Sequence, residues 1–167
     1  MMQAIDFFAP AYRQEAPRND AEFGIYDPGN SQPALTTLDT TAYQAVVKNP
    51  NGLSLQFVAV DHNIPINRDN GDAESTCDGM LYVDNQFLSF IELKDRLSGW
   101  ASEAAEQLQK TIEIFKANHD SETFAKRYAY AANIQHPNFH RSFKEVMQKF
   151  RSETKFNLRF KTVIEEI

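Results

Sequence analysis

The chain holds a single cysteine, Cys77, among 167 residues. That excludes an internal disulfide framework, and a multi-cysteine zinc site cannot form within one copy. No apolar run reaches the roughly 18 residues that a bilayer crossing needs, and Met1 to Arg13 lacks the basic start and apolar core of a secretory signal. The expectation is a cytoplasmic protein that makes no membrane contact. Six glycines are present and none belongs to a Gly-rich phosphate-cradling loop, which weakens the case for an enzyme acting on free nucleotides. Cations are scarce at the start: residues 1–75 hold Arg13, Arg18, Lys48 and Arg68 against ten acids, whereas 13 cations meet 13 acids in residues 76–167. A net charge of -6 argues against a generic nucleic-acid coating protein, whose affinity comes mainly from neutralising phosphates.

What is present is enough apolar content, 42%, for one well-cored domain, and a second half in which cations cluster. From Lys126 to Lys161 nine basic residues face only Glu145 and Glu153. Such a run is more often a solvated face than a phosphate contact, but it supplies candidates.

The segment from Pro10 to Pro33 is rich in Pro, Asp, Asn and Gly and reads as loop, so residues 1–38 are expected to form an N-terminal arm and residues 39–167 the domain. Asp39 caps an expected short helix over Thr40 to Val47, which Asn49-Pro50-Asn51-Gly52 stops. Leu53 to Val60 suits a strand. Two further strands, Asp78 to Val83 and Phe87 to Lys94, read as a hairpin. A three-residue connection, Asp84-Asn85-Gln86, would set Val83 opposite Phe87 and Asp78 opposite Glu92, with both carboxylates on one face; a two-residue connection would separate them. Asn85 tolerates the positive φ that such a turn needs.

Beyond Lys94, Asp95 or Ser98 could cap a long helix in which Ala101, Ala104, Ala105, Leu108, Ile112 and Phe115 recur at helical spacing, with Glu103, Glu106, Lys110 and Glu113 outward. Phe124 to Ala132 reads as a strand, Pro137 opens a second amphipathic helix, and Phe156 to Ile164 alternates as a last strand.

Asp78, Glu92 and Lys94 sit at the ends of otherwise apolar strands, where a bound divalent cation and a phosphate would offset their desolvation. An Asp on the second strand and Glu-x-Lys on the third, within this order of elements, resemble the PD-(D/E)XK, or restriction-endonuclease-like, nuclease superfamily. The resemblance spans about residues 39 to 133. It implies an α/β fold with a core of helix, three strands, helix and strand, a mixed sheet flanked by helices, here extended by a C-terminal helix and strand.

It also implies that Asp78 and Glu92 ligate Mg2+, with Mn2+ able to substitute, and that Lys94 is the catalytic cation; on a strand Leu93 points away from Glu92 and Lys94, which leaves its carbonyl as a candidate further ligand. Cys77 stands where a proline often precedes the aspartate. Relatives often carry an acid on the first helix, where this chain has only Asp39. Gln107 stands where exonuclease-like relatives place a glutamine, but Thr111 comes where their tyrosine would be. The function implied is hydrolysis of DNA phosphodiester bonds, in defence, repair or recombination.

Asp61, at the end of the first strand, is a spare carboxylate, and Glu74 a weaker one, because acids such as Asp72 and Glu74 in a Gly/Asn-rich loop are usually turn formers. Lys110, Lys126, Arg127, Arg141 and Lys144 are candidates for DNA backbone contact. Trp100 and the aromatics of 139–150 could stack on bases, but their helical spacing favours core packing. His136 and His140 lack a third ligand for zinc. A different class remains open, a binding or regulatory module that keeps this fold without cutting and engages a protein or nucleic-acid partner. Cutting both strands of a duplex with one centre per chain would call for a homodimer or two visits.

Overall fold

The computed structural model describes residues 4–135 and 143–167. The hairpin sets the frame. β5 (Gly79–Val83) and β6 (Phe87–Lys94) pair antiparallel through the three-residue connection, with Asn85 at φ 64°. Val83 lies opposite Phe87 and Gly79 opposite Ile91, so the same stagger carries Asp78 across from Glu92. The Asp78 N–H donates to the Ile91 carbonyl at 3.1 Å, which continues the ladder one step past β5. The register expected from loop length is the one observed.

Two mixed sheets and two α-helices make up the described chain, an α/β fold. The larger sheet adds β4 (Gln56–Ala59) antiparallel to β5, β7 (Lys126–Asn133) parallel to β6, and β8 (Asn157–Arg159) parallel to β7, in the order β4-β5-β6-β7-β8. Parallel neighbours need crossover connections, and the helices supply them: α1 (Ala101–Asn118) joins β6 to β7, and α2 (Lys144–Thr154) lies between β7 and β8. Gly79 has no side chain because Phe57 lies across it; a Cβ there would meet that ring at 2.5 Å.

Alternation along the strands divides the core. Met80, Tyr82, Leu88, Phe90, Ala129 and Ala131 face α1, whose Ala104, Leu108, Ile112 and Phe115 are fully buried against them. Leu81, Phe87, Ile91, Tyr130 and Ala132 face the other way, onto a second sheet. That sheet has the order β2-β1-β3-β9, from β1 (Glu22–Tyr26), β2 (Leu35–Thr37), β3 (Ala45–Lys48) and β9 (Val163–Ile164).

Several expectations are corrected. The helix expected over Thr40 to Val47 is a single 3-10 turn, Thr40–Ala42, succeeded by β3. The cap is real, since the Thr41 N–H donates to Asp39 Oδ1 at 3.0 Å, but Val46 and Val47 favour extended backbone and Tyr43 packs where Gly24 leaves room. Inside the stretch read as loop, Phe23 and Ile25 of β1 are fully buried. Neither Asp95 nor Ser98 caps α1, which starts behind Trp100 without a side-chain cap; the Asp95 carboxylate accepts instead from Gln135 at 2.6 Å. The single last strand is two, β8 and β9, one in each sheet, because Leu158 buries on the helix side and Ile164 between the sheets. Pro137, Phe139, His136, His140 and Arg141 lie outside the described residues.

The first described residues pack closely. Phe7 is fully buried against Phe90 and Phe115, at ring separations of 6.4 and 5.2 Å. Its N–H donates to His119 Nε2 at 3.0 Å, which requires that nitrogen unprotonated; burial, the larger influence, lowers the pKa of His119 accordingly.

Candidate metal and phosphate site

Strand parity puts Asp78, Glu92 and Lys94 on the helix face of the larger sheet, at the end where β6 finishes. Glu92 is 3% exposed, and the Lys94 side chain 8%. Lys94 Nζ lies 2.9 Å from Glu92 Oε2, and donates to Gln107 Oε1 at 2.7 Å and to Glu103 Oε1 at 3.1 Å. Both helix partners come from the first two turns of α1, so the crossover helix and strand β6 aim the lysine between them. Gln107 in turn reaches Ser75 Oγ at 3.5 Å.

Asp78 is held by its own hairpin: its Oδ2 accepts from the Leu93 N–H at 2.7 Å. Leu93 has the same parity as Ile91, whose carbonyl faces β5, so the Leu93 carbonyl points to the same side, past the place where β5 ends. The backbone of Cys77 is also fixed. Its N–H donates to Thr111 Oγ1 at 2.8 Å, while that hydroxyl donates to the Gln107 carbonyl at 2.8 Å. Thr111, fully buried, therefore ties α1 to the start of β5.

The charge balance is unfinished. Burial raises the Asp78 pKa to about 6, although its bond from Leu93 opposes the rise. Burial and then the neighbouring charge of Asp78 push Glu92 up further, to about 9, against the pull of Lys94. With both carboxylates ionised, Glu92 Oε1 is buried and accepts no hydrogen bond. A proton shared by the pair satisfies it, and so would a cation. Hard carboxylate oxygens, one of them orphaned, beside a backbone carbonyl are the donor set that magnesium takes, with waters and a phosphate completing its octahedron. Among the described residues no group of three or more His, Cys, Asp and Glu side chains is arranged to hold a metal. Two protein carboxylates are thus the side-chain share of such a site.

The other expected residues divide. Asp61 comes two residues after the end of β4 and its N–H donates to the Cys77 carbonyl at 3.1 Å, which brings it beside Asp78. Its pKa is raised chiefly by burial, with His62 opposing. Glu74 is engaged by Arg68 at 3.4 Å and lines a separate groove of about 710 Å³ along α1, with Lys110 on its rim. Lys126 and Arg127 are placed away from the carboxylates: they pair with Phe87 and Leu88 at the opposite end of β6, roughly 15 Å from Glu92 at strand rise. Because β8 runs parallel to β7, α2 must run back, and exposed Lys144 at its start lies toward the end where β7 finishes.

Sequence reasoning missed three participants. Asp27, just past β1, is close enough for its charge to raise both Asp78 and Asp61. Arg96 and Glu103 pair beside Lys94. Only Glu103 left a signal, its position one turn before Gln107 on the same helix face. No family model, curated protein or solved structure matches the chain.

Proposed function

We propose that this chain is a metal-dependent nuclease with a restriction-endonuclease-like core, cutting DNA at the end of the β5–β6 hairpin. The observation that carries the reading is the buried pair Asp78 and Glu92, one oxygen of which has no partner, beside Lys94. The fold supports it: an antiparallel meander β4-β5-β6, a helical crossover and a parallel β7 make up the strand order that the resemblance implies, with the first helix replaced by a single turn.

Asp78, Glu92 and the Leu93 carbonyl would hold Mg2+ or Mn2+, and the bound cation would supply charge stabilisation for the phosphoryl oxygens and a more acidic water. Asp78 is kept in place by the Leu93 N–H, and Lys94 by Gln107 and Glu103. Lys94 presents its charge where negative charge gathers on the scissile phosphate, and helps orient the attacking water. Asp61, across the backbone from Cys77, is a spare carboxylate close enough for its charge to act on Asp78.

The test is incubation of labelled single-stranded, duplex and branched DNA, and RNA, with magnesium or manganese, comparing wild type with Lys94→Ala. Metal-dependent cleavage that the variant loses supports the enzyme. A second reading, a non-cutting module, draws on the burial of Glu92 and Lys94 and on a groove of about 710 Å³ that neither Asp78 nor Glu92 lines. Absence of cleavage on every substrate, with no magnesium binding, would establish that reading instead.

A further inference from the structure

The chain leaves β6 at Lys94, yet Arg96, two residues on, is not loosely placed. Asn133, fully buried at the end of β7, grips its backbone from both sides: Nδ2 donates to the Arg96 carbonyl at 2.7 Å and Oδ1 accepts from the Arg96 N–H at 3.3 Å. A buried amide that holds this loop residue at both ends, its Oδ1 also accepting from the Gln135 N–H at 3.0 Å, sets where that guanidinium starts. The guanidinium takes the Glu103 carboxylate with two nitrogens, Nη1 to Oε2 and Nη2 to Oε1, the latter at 3.3 Å, while Lys94 Nζ reaches Oε1 at 3.1 Å.

A planar fork and an ammonium converging on two oxygens of one anion is the geometry that recognises phosphate. As a stabilising element the pair is weak, since Arg96 and Glu103 are 50% and 42% exposed. We infer that Lys94 and Arg96 form a cradle for a phosphodiester of the bound strand, and that the Glu103 carboxylate is a resident stand-in which the phosphate displaces. Glu103 is held ionised by its bonds from Arg96 and then Lys94, so the stand-in carries the charge of the group it replaces. This rests on the nuclease reading, in that the phosphate belongs to the strand presented to Asp78 and Glu92.

The test uses the full chain, a fluorescently labelled single-stranded oligodeoxynucleotide in calcium buffer, and anisotropy. Arg96→Ala should weaken binding about tenfold and Arg96→Lys by less, since it keeps the charge and loses the fork. Glu103→Gln should tighten binding about threefold or more, and that gain should vanish in the Arg96→Ala background. Wild-type affinity in Arg96→Ala, weaker binding in Glu103→Gln, or no oligonucleotide binding by any variant would overturn the cradle. Calorimetric titration of manganese, with Asp78→Asn as control, separates the two claims. Unchanged binding by Arg96→Ala with intact manganese affinity removes the cradle alone, whereas no manganese binding removes the nuclease reading and the cradle with it.

Discussion

Two clusters of charge flank the larger sheet, a buried one on the helix face and a half-buried one on the other, and they are built to opposite standards. On the face toward the second sheet, Glu166 accepts from the Tyr130 hydroxyl and from Lys161 at 2.6 Å, with Arg159 at 3.5 Å. Burial alone would raise its pKa, but those donors bring it below the usual carboxylate range. On the helix face, Lys94 pairs with Glu92 and not with Asp78, both carboxylates are pushed up, and an oxygen is left over. The first cluster closes its own balance and serves the fold. The second is completed only by a proton held between its carboxylates or by a cation, which is where a chemical role is to be sought.

The largest way to sharpen that contrast is to remove a cation from each cluster. Lys94→Ala should cut the metal-dependent cleavage rate by about a hundredfold to a thousandfold, the scale of one lost preorganised charge, while Lys161→Ala should leave the rate unchanged. Initial rates on labelled DNA check both. Retained cleavage in Lys94→Ala would end the functional reading of the helix-face cluster.

Next is stability against pH. Asp78 and Glu92 have folded pKa values above their unfolded ones, so the folded state binds more protons than the unfolded state from about pH 4 upward. The metal-free protein should therefore lose stability as pH rises through the range that ends near the folded values of about 6 and about 9. Urea unfolding in chelator at pH 5 and pH 8 measures the loss. Asp78→Asn should be more stable than wild type at pH 8 by about 1–2 kcal/mol, and magnesium should narrow the difference.

The opposite sign is expected across the sheet. Tyr130→Phe removes a donor from Glu166 and should cost about 1 kcal/mol at pH 7 with no change in cleavage. The smallest effect belongs to Gln107→Ala, which leaves Lys94 with its two carboxylate partners and should slow cleavage only several-fold, about 1 kcal/mol, without altering manganese affinity. A loss as large as that of Lys94→Ala would mean that Gln107 touches the reacting groups.

The hairpin and its paired carboxylates were legible in the sequence because both derive from local rules. A three-residue loop with Asn85 at positive φ fixes the register, and a period of two fixes the face. The long helix was legible for the same reason, its buried stripe being continuous from Ala104 to Phe115. Local rules also misled: Asp39 signals a helix start and does start one turn, but the backbone of Ala45 to Lys48 is set by β1, with which those residues pair. β1 and β2 were hidden by short length and by flanking Pro, Asp and Gly. Asp27 and the Arg96–Glu103 pair could not be placed, since their proximity to the hairpin depends on how distant elements dock. Lys126 and Arg127 show the same limit in reverse, a suggestive run of charge that the parallel register of β7 carries to the far end.

β8 and β9 have a bearing on how the chain is made. The side of β7 away from β6 pairs with residues 157–159, and the side of β3 away from β1 with residues 163–164. During synthesis from the amino terminus these sides of β7 and β3 therefore stay unpaired until residues 157–159 and 163–164 have been made. A nascent chain stalled before that point would offer two templates for wrong pairing, and chaperone demand should fall abruptly once these short strands emerge from the ribosome.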